Sequence, residues 1–135
     1  MPMREQDRVF HLAIPCDDLK TTKEFYSQFD GCSVAREYED RVTFNFFGDQ
    51  LVCHLSPNHN SNILSLYPRH FGITFLKEEG WQNILDQVIR LKITLFEAPF
   101  SRLEGKPEEH RSFVIVDPSK NLIEFKYYFE PKMAY

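Results

Sequence analysis

Phe10-His11-Leu12-Ala13-Ile14 and Arg69-His70-Phe71-Gly72-Ile73 are two versions of one pentapeptide. In each, His stands second, a large apolar residue third, a small residue fourth and Ile fifth. Such a repeat says that one supersecondary unit occurs twice in the chain, and it governs every later assignment. Each pentapeptide reads as a strand that leads to a helix.

The first helix opens near Asp17-Asp18, whose carboxylates can cap free backbone N–H groups. Leu19, Thr22, Phe25, Tyr26 and Phe29 recur at three- and four-residue steps, an amphipathic stripe, and Gly31 ends it. The second helix is expected over residues 79–91, with Trp81, Ile84, Leu85, Val88 and Leu91 as its stripe. Three short strands follow each helix. They are expected near 33–38, 42–47 and 51–55, with Gly48-Asp49 as a tight turn, and near 94–97, 112–116 and 122–128. Residues 117–121, Asp-Pro-Ser-Lys-Asn, form the matching turn. Each half is therefore βαβββ, over about 8–56 and 69–128, in one α+β domain. Residues 57–68 join the halves, and 101–109 read as a long polar loop. Paired, the modules are expected to curl a mixed sheet around a pocket, with the helices outside.

Composition narrows the function classes. The chain has 135 residues, 42% of them apolar, with thirteen Phe and six Tyr, enough for a core without staples. A net charge of −4 and no basic stripe argue against nucleic acid and against an anionic membrane surface. No stretch approaches the roughly 20 apolar residues of a membrane helix. The polar start carries no signal-peptide pattern, so a cytoplasmic location is expected. Cys16, Cys32 and Cys53 are odd in number and widely spaced, and read as free thiols. There is no Gly-rich phosphate loop and no G-x-S-x-G elbow.

Chemistry rests on a few residues. Alone, either repeat histidine could be an ordinary strand residue. Matched across a pseudo-twofold, His11 and His70 can converge on one point. Glu124 lies in Asn121-Leu122-Ile123-Glu124-Phe125-Lys126, with Leu122 on its side and Ile123 and Phe125 on the other. A carboxylate in an apolar strand needs a partner if buried, and lies on a solvent face otherwise. Two His and one Glu make a three-cornered site with open positions, suited to one divalent ion: Fe(II) first, with Mn, Ni or Zn as alternatives. His54 is ambiguous. Without a gap, residues 47–54 fall on 117–124 and His54 matches Glu124; a one-residue gap puts Cys53 there instead. The ungapped match keeps the apolar face continuous. It leaves His54 as a fourth ligand, a proton carrier, a substrate contact or a packed residue. His59 and His110 read as solvated loop residues, and Tyr127 and Tyr128 as split between core and surface.

The paired modules, the opening Phe10-His11-Leu12-Ala13-Ile14-Pro15 and the closing Asp117-Pro118-Ser119-Lys120-Asn121-Leu122-Ile123-Glu124-Phe125 resemble the vicinal oxygen chelate superfamily. That superfamily includes glyoxalase I, fosfomycin-resistance enzymes, extradiol dioxygenases and bleomycin-binding proteins. The resemblance runs from about residue 8 to 128. Its most specific part is the Asp-Pro-x-x-Asn-x-x-Glu hairpin, in which Lys120 stands where Gly is usual. It implies that His11, His70 and Glu124 are metal ligands and that a small substrate binds through neighbouring oxygens. Glyoxalase I has a carboxylate near the position of His54. A His, His, Glu set fits the dioxygenases and fosfomycin enzymes better, and His54 then takes a catalytic role. The resemblance implies an Fe(II) dioxygenase-like enzyme first, then a glyoxalase-like lyase or isomerase or a fosfomycin-type thiol transferase, and last a non-enzymatic antibiotic-binding protein. It also implies a homodimer.

Overall fold

A computed structural model describes residues 7–57 and 64–135. The N-terminal residues through Gln6, and half of the expected linker including His59, lie outside the described residues. The first module runs β1 (His11–Cys16), α1 (Leu19–Tyr26), β2 (Cys32–Glu37), β3 (Arg41–Phe46) and β4 (Asp49–Leu55). The second runs β5 (Phe71–Phe75), α2 (Glu78–Arg90), β6 (Leu95–Arg102), β7 (His110–Val116) and β8 (Leu122–Tyr128), with a 3-10 turn at Pro131–Ala134. Both are βαβββ, as the repeat predicts. The mixed sheet is realised as two four-stranded sheets, ordered β1-β4-β3-β2 and β5-β8-β7-β6. In each, the first and last strands pair in parallel and the remaining pairs are antiparallel. The chain forms two compact units, and the turn Asp117–Asn121 belongs to the first unit although its flanking strands belong to the second.

The first module's core follows from period-two alternation meeting a helical stripe. Ile14 and Cys16 of β1, Phe44 and Phe46 of β3, and Leu51 and Cys53 of β4 are buried, as are Thr22, Phe25 and Tyr26 of α1. Asp18 caps α1 by accepting the Thr21 N–H at 2.8 Å, and this bond holds its carboxyl below the usual value. The helix stops at Tyr26, earlier than the stripe suggests. Phe29 is nevertheless buried, edge-on to Phe25 at 5.5 Å. The β3–β4 turn sits at Phe47-Gly48, one residue before the expected pair. Both residues have positive φ, 52° and 92°, the backbone that a two-residue hairpin between twisted strands demands.

In the second module α2 carries Glu78 and Glu79 in its first turn and Arg90 in its last, complementing the helix dipole. It buries Trp81, Ile84, Leu85 and Val88. Trp81 donates its indole N–H to the Phe125 carbonyl at 2.8 Å and packs on Phe113 and Tyr127. This pins the helix to one face of β8. The expected loop at 101–109 is shorter, because β6 runs on to Arg102 and pairs with the start of β7. A run of polar residues conceals that pairing. His110, expected to be solvated, is the first residue of β7 and is buried. Its ring lies 4.7 Å from that of Tyr128, and its Nδ1 donates to the Glu108 carbonyl at 2.9 Å. Tyr127 is buried and Tyr128 half-buried.

The Asp117–Asn121 turn is organised by one buried carboxylate. Asp117 accepts the backbone N–H of Ser119 and of Asn121, the Asn121 side-chain amide, and the Tyr26 hydroxyl at 2.7 Å. Asn121 also donates to the Pro15 carbonyl, and the Ser119 hydroxyl accepts the Asp17 N–H. Lys120 has φ 66°, the left-handed conformation that explains why glycine is usual at this position. The three cysteines are free and buried, and burial pushes their thiols up, Cys32 to about 12. They are therefore protonated and poor nucleophiles.

Burial pushes the Asp117 carboxyl above its ordinary 3.8, against the pull of its hydrogen bonds, and pushes the Tyr26 phenol well above 10. Tyr26 therefore remains the donor. Because the folded value of Asp117 lies above the unfolded one, its contribution to stability is fully present below about pH 3.8 and falls as pH rises through the folded value. Tyr26→Phe removes a hydrogen bond that favours the ionised form and moves the folded value further up. The variant should lose about 1.5–3 kcal/mol at neutral pH. Its deficit should be larger at pH 8 than at pH 4, read from urea unfolding at the two pH values.

Candidate functional site

The parallel pairing of β5 with β8 sets Gly72 beside Glu124. A Cβ on Gly72 would stand 1.7 Å from the Glu124 carbonyl oxygen, so the small fourth residue of the repeat is a steric requirement here. Ile123, Phe125 and Tyr127 face α2, leaving Leu122, Glu124, Lys126 and Tyr128 on the opposite face. The antiparallel register with β7 adds Val116, Val114, Ser112 and His110 to that face. Leu66, Val114 and Leu122 form an apolar cluster there, joined by Phe96, Phe100 and Val116.

An open pocket on this unit is lined by His70, Gly72, Thr74, Glu124 and Lys126. His70 immediately precedes β5. Its Nδ1 lies 2.6 Å from the Leu66 carbonyl, which can only accept, so Nδ1 carries the proton. Nε2 stands 3.5 Å from Glu124 Oε1. The backbone carbonyl on Nδ1 fixes the ring's orientation and directs Nε2 at the carboxylate. The Glu124 side chain is only 13% exposed, and Lys126 Nζ lies 4.0 Å from the same oxygen. Lys126 Nζ also donates to the Tyr128 hydroxyl at 3.3 Å.

Two of the three expected ligands, His70 and Glu124, are thus brought together. His11 opens β1 in the other unit, opposite Gln50, and is exposed. Among the described residues, no group of three or more His, Cys, Asp and Glu side chains gathers closely enough to hold a metal ion. His54 is exposed on β4, opposite Pro15 and Arg41.

The ladders also revise the comparison of the two hairpins. Ala13 pairs with Val52 where Gly72 pairs with Glu124, and Ala13 and Gly72 are the matched fourth residues of the repeat. Val52 is therefore the counterpart of Glu124, and His54 that of Lys126. Two-residue alternation keeps Val52 and His54 on one face, so the ungapped comparison chose the right face and the wrong rung. The second turn is longer than the first, which displaces any match made along the sequence alone. Sequence reasoning overlooked Lys126, although alternation outward from Glu124 points to it; of Tyr127 and Tyr128, one of which could reach the pocket by that reading, Tyr128 lies on the pocket face.

Residues 8–125 match the Glyoxalase/Bleomycin resistance protein/Dioxygenase superfamily. A solved structure described as a glyoxalase/bleomycin resistance protein/dioxygenase from Alicyclobacillus acidocaldarius is 48% identical, with a TM-score of 0.93, covering 98% of this chain and 100% of that one. Virulence protein STM3117 from Salmonella typhimurium is 26% identical over 123 residues, 90% of this chain and 85% of that protein. The fosfomycin resistance protein FosX from Listeria monocytogenes shares the fold at 15% identity, with a TM-score of 0.70 over 93% of this chain and 97% of that one. With a match across most of its length and both βαβββ modules in place, the chain belongs to the Glyoxalase/Bleomycin resistance protein/Dioxygenase superfamily, whose vicinal oxygen chelate members its sequence resembles.

Proposed function

We propose that this protein is a metal-dependent enzyme acting on a small substrate with vicinal oxygens, dioxygenase-like with Fe(II), and that His11, His70 and Glu124 hold the ion. The observation that carries this reading is the prepared pair: His70 Nε2 faces Glu124 Oε1 at 3.5 Å while Nδ1 is tied to the Leu66 carbonyl. A neutral imidazole and a carboxylate are a donor set that a divalent ion fits. His11 enters as the third ligand from its equivalent place in the repeat. A bound ion would supply Lewis-acid stabilisation of charge on neighbouring substrate oxygens.

The chain's own residues do the rest. The Leu66 carbonyl keeps His70 in one tautomer and one orientation. The cluster of Leu66, Val114 and Leu122 excludes water from one side of Glu124 and so strengthens every charge interaction beside it. His54 is assigned proton transfer or a hydrogen bond to the reacting oxygen. His54 is exposed on β4, where a substrate oxygen can reach its ring.

Elemental analysis of untreated protein should find one ion per chain, and oxygen uptake with catechols tests the reaction class. His11→Ala, His70→Ala and Glu124→Gln should each lose metal while thermal unfolding stays cooperative. Full occupancy in all three variants would sink the reading. His54→Ala should keep its metal and lose ~10²–10⁴-fold in rate. Metal loss in that variant would make His54 a ligand, and an unchanged rate would end its catalytic assignment.

A homodimer belongs to the same proposal. β2 and β6 are edge strands of their sheets, with Val34 and Leu95 exposed on them, and a second copy can cover such edges. Light scattering at micromolar concentration should give twice the 16.1 kDa chain mass, and a monomer throughout that range would count against it.

A further inference from the structure

We infer that Lys126 is a recognition residue for a carboxylate carried by the substrate next to its chelating oxygens, an inference that rests on the proposed metal site and narrows its substrate class. Lys126 lies on the pocket face of β8, two residues beyond Glu124. Its ammonium is held over the Tyr128 ring and donates to the Tyr128 hydroxyl at 3.3 Å. The 4.0 Å to Glu124 Oε1 is an ion pair too long for a hydrogen bond. An ammonium has three donors, so this geometry leaves donors directed at the pocket. Opposite Lys126 on β7, the buried Ser112 hydroxyl has no hydrogen-bond partner among the described residues. It is a second polar group on the same face, unspent by the fold.

Charge sets the substrate class. The Glu124 carboxylate and the Lys126 ammonium carry opposite charges 4.0 Å apart, so a bound divalent ion would add its double positive charge to a lining with no second carboxylate. The other lining residues, Phe71, Gly72, Ile73 and Thr74, carry no charge to offset it. Glu124, once shared with an ion, would neutralise Lys126 less. A neutral diol would leave both cations uncompensated, whereas a chelating group with an adjacent carboxylate would satisfy both. One ammonium beside the Tyr128 hydroxyl suits a single negative charge. A phosphoryl group would call for more donors, such as an arginine fork or a helix N-terminus.

The test uses zinc, which is redox-silent, and two probes that differ by one group: catechol and 2,3-dihydroxybenzoate. Calorimetry on the zinc-loaded protein should show the carboxylated probe binding ~10–100-fold more tightly than catechol. Lys126→Met and Lys126→Gln should each abolish that preference, chiefly by weakening the carboxylated probe, with zinc stoichiometry read alongside. Lys126→Arg should restore most of it. Equal binding of the two probes to wild type, or a preference that survives in both neutral variants, overturns the inference. Zinc stoichiometry is measured first. If no zinc binds, the metal reading fails on its own, and the same probe pair is titrated into metal-free protein. There, a preference lost in the neutral variants supports the carboxylate subsite, and no preference overturns it.

Discussion

The parallel pairing of first strand with last strand is the constraint on which this protein's chemistry depends. A parallel ladder cannot be closed by a tight turn, so each module must carry its chain over a helix and through a meander before β4 returns to β1, or β8 to β5. That route places a residue from the start of the module beside one from its end. In the second module those residues are His70 and Glu124. The approach is tight, because Gly72 leaves no room for a Cβ against the Glu124 carbonyl. The indole of Trp81 holds the next residue, Phe125, from the helix side. The backbone at Glu124 and Phe125 is thus held from the neighbouring strand and from the helix.

A second constraint acts at the turn before β8. Asp117 is a buried carboxylate whose four donors come from its own turn and from Tyr26 of α1. An unpartnered charge there would be strongly destabilising, so the turn has one arrangement that satisfies it. The left-handed Lys120 is part of the same geometry. Asp117 therefore holds the turn in place. The buried, protonated thiols of Cys16, Cys32 and Cys53 are spent on packing.

The two modules have diverged on one shared framework. At the same rung one carries Val52 and the other Glu124; at the next rung on that face, one carries His54 and the other Lys126. The helix-facing positions stay apolar in both, Leu51 and Cys53 against Ile123 and Phe125, because each must cover a helix. Packing conserves one face of the strand between the modules and leaves the other free to differ, and the polar pocket groups occupy the freer face.

The amino-acid sequence alone determined the βαβββ repeat, the helical stripes and the burial of Ile123 and Phe125, and it named His11, His70 and Glu124 as candidate ligands, of which tertiary structure sets His70 beside Glu124. Those readings of the sequence follow from periodicity along a single strand or helix, or from like residues at like positions. It did not determine where β6 ends, because polar residues such as Ser101 and Arg102 join a ladder only when a partner strand is present. It did not show His110 buried against Tyr128, nor Lys126 tied to Tyr128 and Glu124, since each depends on register between strands far apart in the chain. Register also decided that Val52, and not His54, answers to Glu124. Loop length shifts a linear alignment, but backbone hydrogen bonds admit one pairing.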